Sequence, residues 1–219
     1  MINRKVDYLP NTNCILYQRN DMFKMTTDTT LLGNFIKIKT NMTVLDIGCN
    51  NGVLMLYCSR FIPKKIVGID VLKDACELCD SNMKLNNIEN YEIINADIND
   101  VKLPQFDVIV SNPPYDKLSC ALISASDNQN TARFTNQLTL EILIEHVRRY
   151  LKDNGKFFMI YPASKLNNII ELLRNNKMSA EVIELIYNKS SDSAKLVMLK
   201  IVKRSNTECR IYHRHLEDK

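Results

Sequence analysis

The chain has 219 residues, 45% hydrophobic and 25% charged, with a net charge of +4, a size and composition that suit one globular α/β domain with modest additions. No apolar run approaches the roughly 20 residues of a membrane span. The N-terminus lacks the basic, apolar and small-residue order of an export signal, so the expectation is a soluble, cytoplasmic protein with no membrane partner and reduced cysteines.

In chain order, residues 14–25 alternate weakly, as in a short hairpin. Thr26-Thr27-Asp28-Thr29 is an N-cap cluster for a short helix ending near Ile36. The spacing then predicts a strand over 43–47, a turn from Gly48 to Gly52 and a helix over 53–61. A strand over 65–70, a helix over 73–85 and strands over 91–95 and 106–111 follow. Residues 116–134 are polar and aperiodic, a length that in a compact domain usually belongs to a functional or mobile loop. A helix over 137–151 is stopped by Gly155, a strand covers 156–161 and a helix 163–176. Two last strands, near 179–187 and 195–203, lack a crossover helix between them and read as an antiparallel hairpin. This order predicts an α/β fold: a doubly wound, mainly parallel, seven-stranded sheet in a single domain. Residues 1–39 form an N-terminal extension, 40–203 the core and 204–219 a basic tail.

Charge is uneven. Residues 1–39 and 195–219 carry net charges of +3 and +4, whereas residues 40–135 carry −4. Basic ends of this kind suit a polyanion's phosphates as well as an ordinary solvated surface. Cys76 and Cys79 form a lone C-x-x-C in a helical pattern. With no second pair or histidines at ligand spacing, they read as small apolar residues on one helix face, and no metal is expected.

Acidic residues end three successive strands. Asp46 precedes the turn Gly48-Cys49-Asn50-Asn51-Gly52, whose glycines allow a sharp bend and close approach to a ligand. Asp70 ends the second core strand, where a carboxylate can accept from ribose hydroxyls. Asp97, before Ile98, lies just past the third and could meet an adenine amino group. A nicotinamide dinucleotide is the rival ligand. Its G-x-G-x-x-G fingerprint is absent, and Asp46 would repel a pyrophosphate.

The fourth strand runs into Asn112-Pro113-Pro114-Tyr115, at the edge where open α/β sheets bind ligands. The two prolines remove donors and leave carbonyl acceptors, Asn112 adds a side-chain oxygen and Tyr115 adds a stacking face. An aromatic amine is a weak nucleophile because its lone pair is delocalised. Acceptors aimed at both N–H bonds, the Asn112 side chain and the Pro113 carbonyl, draw its nitrogen toward a pyramidal shape.

These motifs, in this order, resemble class I S-adenosylmethionine-dependent methyltransferases over roughly residues 26–203. The resemblance implies that Asp46, Gly48, Asn50 and Gly52 border the methionine part of the cofactor, with Asn112 beside it. It also implies that Asp70 binds the ribose, Val71 flanks the adenine, and Asp97 with Ile98 receives the adenine amino group. The family usually has a glycine where this chain has Asn50, a residue that enters the left-handed region more cheaply than most. The tetrapeptide implies methylation of a planar nitrogen: adenine N6 in nucleic acid, or a protein glutamine amide.

Residues 23–32 before the Val44–Gly52 motif, Ala132-Arg133 and Tyr161-Pro162-Ala163-Ser164-Lys165-Leu166 narrow the resemblance to the bacterial tRNA1(Val) adenine-37 N6-methyltransferase family. This implies a tRNA partner and no obligate protein partner, with Arg133 and the basic residues Lys200, Lys203, Arg204, Arg210 and Arg214 as candidate phosphate contacts. About 40 residues before the cofactor motifs are too few for the helical recognition domain of glutamine-modifying enzymes. A catalytically silent RNA-binding module of the same fold is the alternative from another class.

Overall fold

In the computed structural model, the described residues are 4–22, 24–115, 138–189, 191–204 and 207–216. A two-stranded hairpin, β1 (Arg4–Tyr8) and β2 (Ile15–Arg19), precedes helix α1 (Thr27–Phe35). The core follows as β3 (Thr43–Ile47), α2 (Val53–Ser59), β4 (Lys65–Asp70), α3 (Lys73–Leu85), β5 (Tyr91–Asn95) and β6 (Phe106–Ser111). Then come α4 (Leu140–Tyr150), β7 (Leu151–Pro162), a 3-10 turn (Ala163–Lys165), α5 (Leu166–Asn175), β8 (Ser179–Tyr187), β9 (Ala194–Val202) and β10 (Arg210–His215).

The main sheet has the order β10-β8-β9-β7-β6-β3-β4-β5, and β9 is its one antiparallel strand. It holds eight strands, not the expected seven. The extra one, β10, pairs in parallel with β8 at the sheet edge. All six of its residues are exposed, so it has no buried side chains to create the alternation by which strands are recognised. The hairpin also differs from expectation: β1 pairs with β2 around a turn at residues 9–14, upstream of the 14–25 segment.

Alternation along the parallel strands sorts side chains onto two faces. Leu45, Ile47, Val67, Ile69, Ile109 and Phe157 pack beneath α4 and α5. Val44, Ile66, Val108, Val110 and Phe158 pack beneath α1 and α2, with Met83 of α3 and with Leu9 and Leu16 of the hairpin. Asp46 falls on the α1/α2 face by the same alternation. Among the described residues, no helix is long and apolar enough to cross a membrane.

Two amides, Asn82 of α3 and Asn86 at its C-cap, replace a missing strand beside β2. Asn82 Oδ1 accepts from Tyr17 N at 2.7 Å and its Nδ2 donates to Tyr17 O at 3.1 Å; Asn86 makes the same pair with Ile15 at 2.9 and 2.7 Å. One helical turn separates the two asparagines and two residues separate their partners, so a single helix face satisfies the strand's backbone. Asn82 Nδ2 also donates to Asn51 O at 2.9 Å, which ties the hairpin to the Gly48–Gly52 turn.

Candidate active site

The carboxyl ends of β3 and β6 and the start of α1 border a small cleft of about 50 Å³. Lys24, Thr29, Asp46, Gly48, Asn50 and Asn112 are among its lining residues. The Gly48–Gly52 turn and Asn112 of the Asn-Pro-Pro-Tyr loop thus share one opening, whereas Asp70, Val71, Asp97 and Ile98 are not among its lining residues. Lys24 and Thr29 come from the N-terminal extension and are not among the site residues the sequence suggests; the N-cap pattern locates α1, which carries Thr29, but not its neighbour.

The turn has the conformation its residues allow. Gly48 sits at φ 76° and Gly52 at φ 83°, with Asn50 between them at φ 44°. A Cβ on Gly48 would meet nothing within 4 Å, so the open side of this turn is empty space over the cleft. A Cβ on Gly52 would lie 2.7 Å from Cys79 Sγ, so glycine there also permits close packing of α3.

Asp46 is 1% exposed, and neither carboxylate oxygen has a hydrogen-bond partner among the described residues. Burial, then the nearby Asp70 charge, pushes its carboxyl well above the usual carboxylate range. Asp70 is held differently. Its Oδ2 accepts from Asn50 N at 2.9 Å and its Oδ1 from Leu72 N at 3.0 Å, leaving a further lone pair on each oxygen. Burial raises its pKa too, and these backbone N–H groups oppose the rise. Asn95 Nδ2 donates to the carbonyls of Asp70 and Val71 at 3.1 and 3.0 Å, which aligns the ends of β4 and β5. Val71 is exposed, Asp97 is half-buried just past β5, and Ile98 is buried behind it.

At the other end, Asn112 lies between two hydroxyls. Its Nδ2 donates to Thr29 Oγ1 at 2.9 Å, and its Oδ1 accepts from the Tyr115 hydroxyl at 2.7 Å. Thr29 is fixed by the start of α1: its backbone N–H donates to the N-cap Thr26 Oγ1 at 3.3 Å. The amide is therefore oriented with oxygen toward Tyr115 and a second lone pair on that oxygen. Pro113 is buried and Pro114 exposed. The Tyr115 ring packs edge-on against Tyr161, centroids 5.3 Å apart, and burial followed by the charge of Asp28 raises its hydroxyl pKa.

The candidate phosphate contacts are not gathered here. Strand register puts Lys203 and Arg204 beyond Val202, which faces Lys156, and so toward the amino ends of β6 and β7, away from the cleft; Lys200 faces Phe158, level with Val110 and Asp46 but on β9, two strands away from β6. Lys203 Nζ donates to Leu151 O at 2.9 Å and pairs with Asp153 at 3.3 Å. Arg204 donates to Asn154 Oδ1 at 2.9 Å. Lys200 and Arg210 both meet Glu181, and Arg214 pairs with Glu184 at 2.8 Å. Carboxylates thus already face four of the five cations. Arg133 lies outside the described residues. Cys76 and Cys79 are buried helix residues, and among the described residues no cluster of His, Cys, Asp and Glu could hold a metal ion.

Solved methyltransferases share this architecture. A Methanocaldococcus jannaschii tRNA m1G37 methyltransferase superposes with a TM-score of 0.70 at 14% identity, over 94% of this chain and 56% of that one. A ribosomal protein L11 methylase from Lactobacillus delbrueckii subsp. bulgaricus gives 0.58 at 17% identity, over 80% and 77%. The fold is that of the class I methyltransferases, whose methyl donor is S-adenosylmethionine. Residues 38–213 match the family model described as a methyltransferase domain, and the chain belongs to that family. The chain is 31% identical over 145 residues to a Yersinia pestis protein named tRNA1(Val) (adenine(37)-N6)-methyltransferase, covering 64% of this chain and 58% of that protein. It spans a little over half the length of the curated relatives it matches.

The residues present fit that donor. An orphaned, buried carboxylate borders the cleft, a donor set that suits a ligand carrying positive charge, and the left-handed glycine turn leaves open space beside it.

Proposed function

We propose that this chain catalyses transfer of a methyl group from S-adenosylmethionine to the N6 of an adenine in RNA, with adenosine 37 of a tRNA-Val-type anticodon loop as the favoured target. The observation that carries this reading is the shared cleft: the Asn112 amide, held with its oxygen toward Tyr115, lines the same opening as Asp46 and Gly48. The naming of the 31%-identical relative supports the same nucleotide.

When bound, the donor supplies a methyl already activated by a positively charged sulfur. The chain's own task is then placement. Asp46 and the Gly48–Gly52 turn would hold the methionine part, Asp70 the ribose, and Val71, Asp97 and Ile98 the adenine. Asn112 Oδ1 and the Pro113 carbonyl would accept the two N–H bonds of the target amine. Tyr115 would stack on the base, worth about 1–3 kcal/mol by analogy with other base stacks. A base in an anticodon loop is already partly unstacked, so extruding it costs less than from a duplex.

Asn112→Ala should lower turnover by roughly 10²–10³-fold, as loss of one oriented polar group does elsewhere, with a much smaller loss of cofactor affinity. Calorimetric titration with the cofactor, then methyl transfer to bulk tRNA with nucleoside mass spectrometry, reads both. Wild-type turnover in this variant would remove the acceptor role. Transfer to release-factor protein instead of tRNA would move the assignment to the glutamine amide.

A further inference from the structure

We propose that His146, on α4 and outside every motif above, is a positioning residue that sets the specificity of the cofactor site for adenine, acting through Asn99 on Asp97. This inference rests on the S-adenosylmethionine reading and on the adenine-contacting role given to Asp97.

The chain of contacts is short and its polarity is determined. Asn99 N and Asn99 Nδ2 both donate to Asp97 Oδ1, each at 2.8 Å. The Asn99 amide must therefore point its nitrogen at the carboxylate, which leaves its oxygen as an acceptor. His146 Nε2 lies 2.9 Å from that oxygen and so carries the ring proton. In this tautomer Nδ1 is a bare acceptor. It is buried and has no hydrogen-bond partner among the described residues. A buried polar atom without a partner is a cost that packing alone does not explain, since an apolar ring would fill the same space.

The outcome for Asp97 is specific. Both local donors converge on Oδ1, and among the described residues no donor occupies Oδ2. One oxygen is thus anchored and the other left for a ligand N–H. The anchor is rigid because α4 grips the loop twice. The His146 ring stacks on Tyr150 at 5.8 Å and 15°, and the Tyr150 hydroxyl donates to Val101 O at 2.8 Å. The helix therefore holds residues 97–101 from both ends. Burial lowers the His146 pKa, which keeps the ring in the neutral form this arrangement needs.

The test compares two ligands on the full chain. S-adenosylhomocysteine offers an adenine amino donor to Asp97; S-inosylhomocysteine carries a carbonyl oxygen at that position. The wild type should prefer the adenosyl ligand. His146→Phe keeps the ring and its stack on Tyr150 but deletes the N–H. It should lose about tenfold in affinity for the adenosyl ligand, the scale of a charged hydrogen bond misdirected, and leave the inosyl ligand unchanged. His146→Gln, which retains an amide donor, should restore most of the preference. An unchanged ratio in His146→Phe, or an equal loss for both ligands, overturns the inference. If that variant does not fold, Asn99→Ala in the exposed loop breaks the same link, and a preserved ratio there overturns it equally. A wild type that binds both ligands alike overturns the role of Asp97 and this inference while the cofactor assignment stands. A wild type that binds neither overturns the cofactor assignment and this inference together.

Discussion

Asp46 combines two opposed demands on one residue. Its carboxyl is buried without a hydrogen-bond partner among the described residues, and its pKa is raised above the unfolded value, by burial first and by Asp70 second. As pH rises past the ordinary aspartate pKa of about 4, the unfolded chain releases this proton first. The empty protein therefore loses stability from there up to the raised folded value. Asp46→Asn should flatten that decline and raise the melting temperature at pH 7 by roughly 2–6 °C, while weakening cofactor binding. Thermal scans across pH, paired with cofactor titrations, check both halves; a variant that melts lower and binds normally would contradict them. The residue's place at a strand end was legible because acidic residues close three successive strands; a single one would read as an ordinary turn residue. Its neighbours were less so. Thr29 reaches Asn112 across 83 positions, and no local pattern encodes such a contact.

At the scale of elements, α3 supports the hairpin through side chains rather than a strand. Asn82→Ala strands the Tyr17 amide and the carbonyls of Tyr17 and Asn51. The expected destabilisation is about 2–3 kcal/mol, with protease cleavage appearing in the segment between β2 and α1 before global unfolding. Limited proteolysis and a denaturant melt read these separately, and an unchanged melt would show the amides to be replaceable by water. The central strands were legible because parallel strands buried on both faces read as short apolar runs. The edges were not. β10 is exposed on both faces, and β7 begins at Leu151 rather than Lys156 because a register shift after Phe106 lets Leu151–Gly155 join the strand before regular pairing starts. Gly155, expected to stop a helix, lies inside that strand; α4 has already ended at Tyr150.

For the whole molecule, the sheet's direction decides which cations can serve a polyanion at the cleft. Lys24 lines the cleft, and Lys165 follows the carboxyl end of β7, beside the strand that leads into Asn112. Lys203 and Arg204 stand at the opposite end. Charge reversal at Lys24 or Lys165 should weaken RNA binding and reduce the slope of log affinity against log salt by about 0.7–1 each, whereas reversal at Lys203 and Arg204 should leave the slope unchanged. Filter binding across a salt series decides it; the reverse ranking would move the RNA to the far end of the sheet. Net charge by segment, the signal available in the sequence, could not make this distinction, because it counts lysines without their strand direction.

Asp70 grips the amide of Asn50 with one oxygen and that of Leu72 with the other. On the proposed reading, the acid that would meet the sugar thereby shapes the bend that would meet the sulfur, so both halves of the groove would be cast as one template. The entropy of arranging that template is lost when the chain folds, not when a guest arrives, and a molecule carrying only one half forfeits contacts that the protein has already set in place.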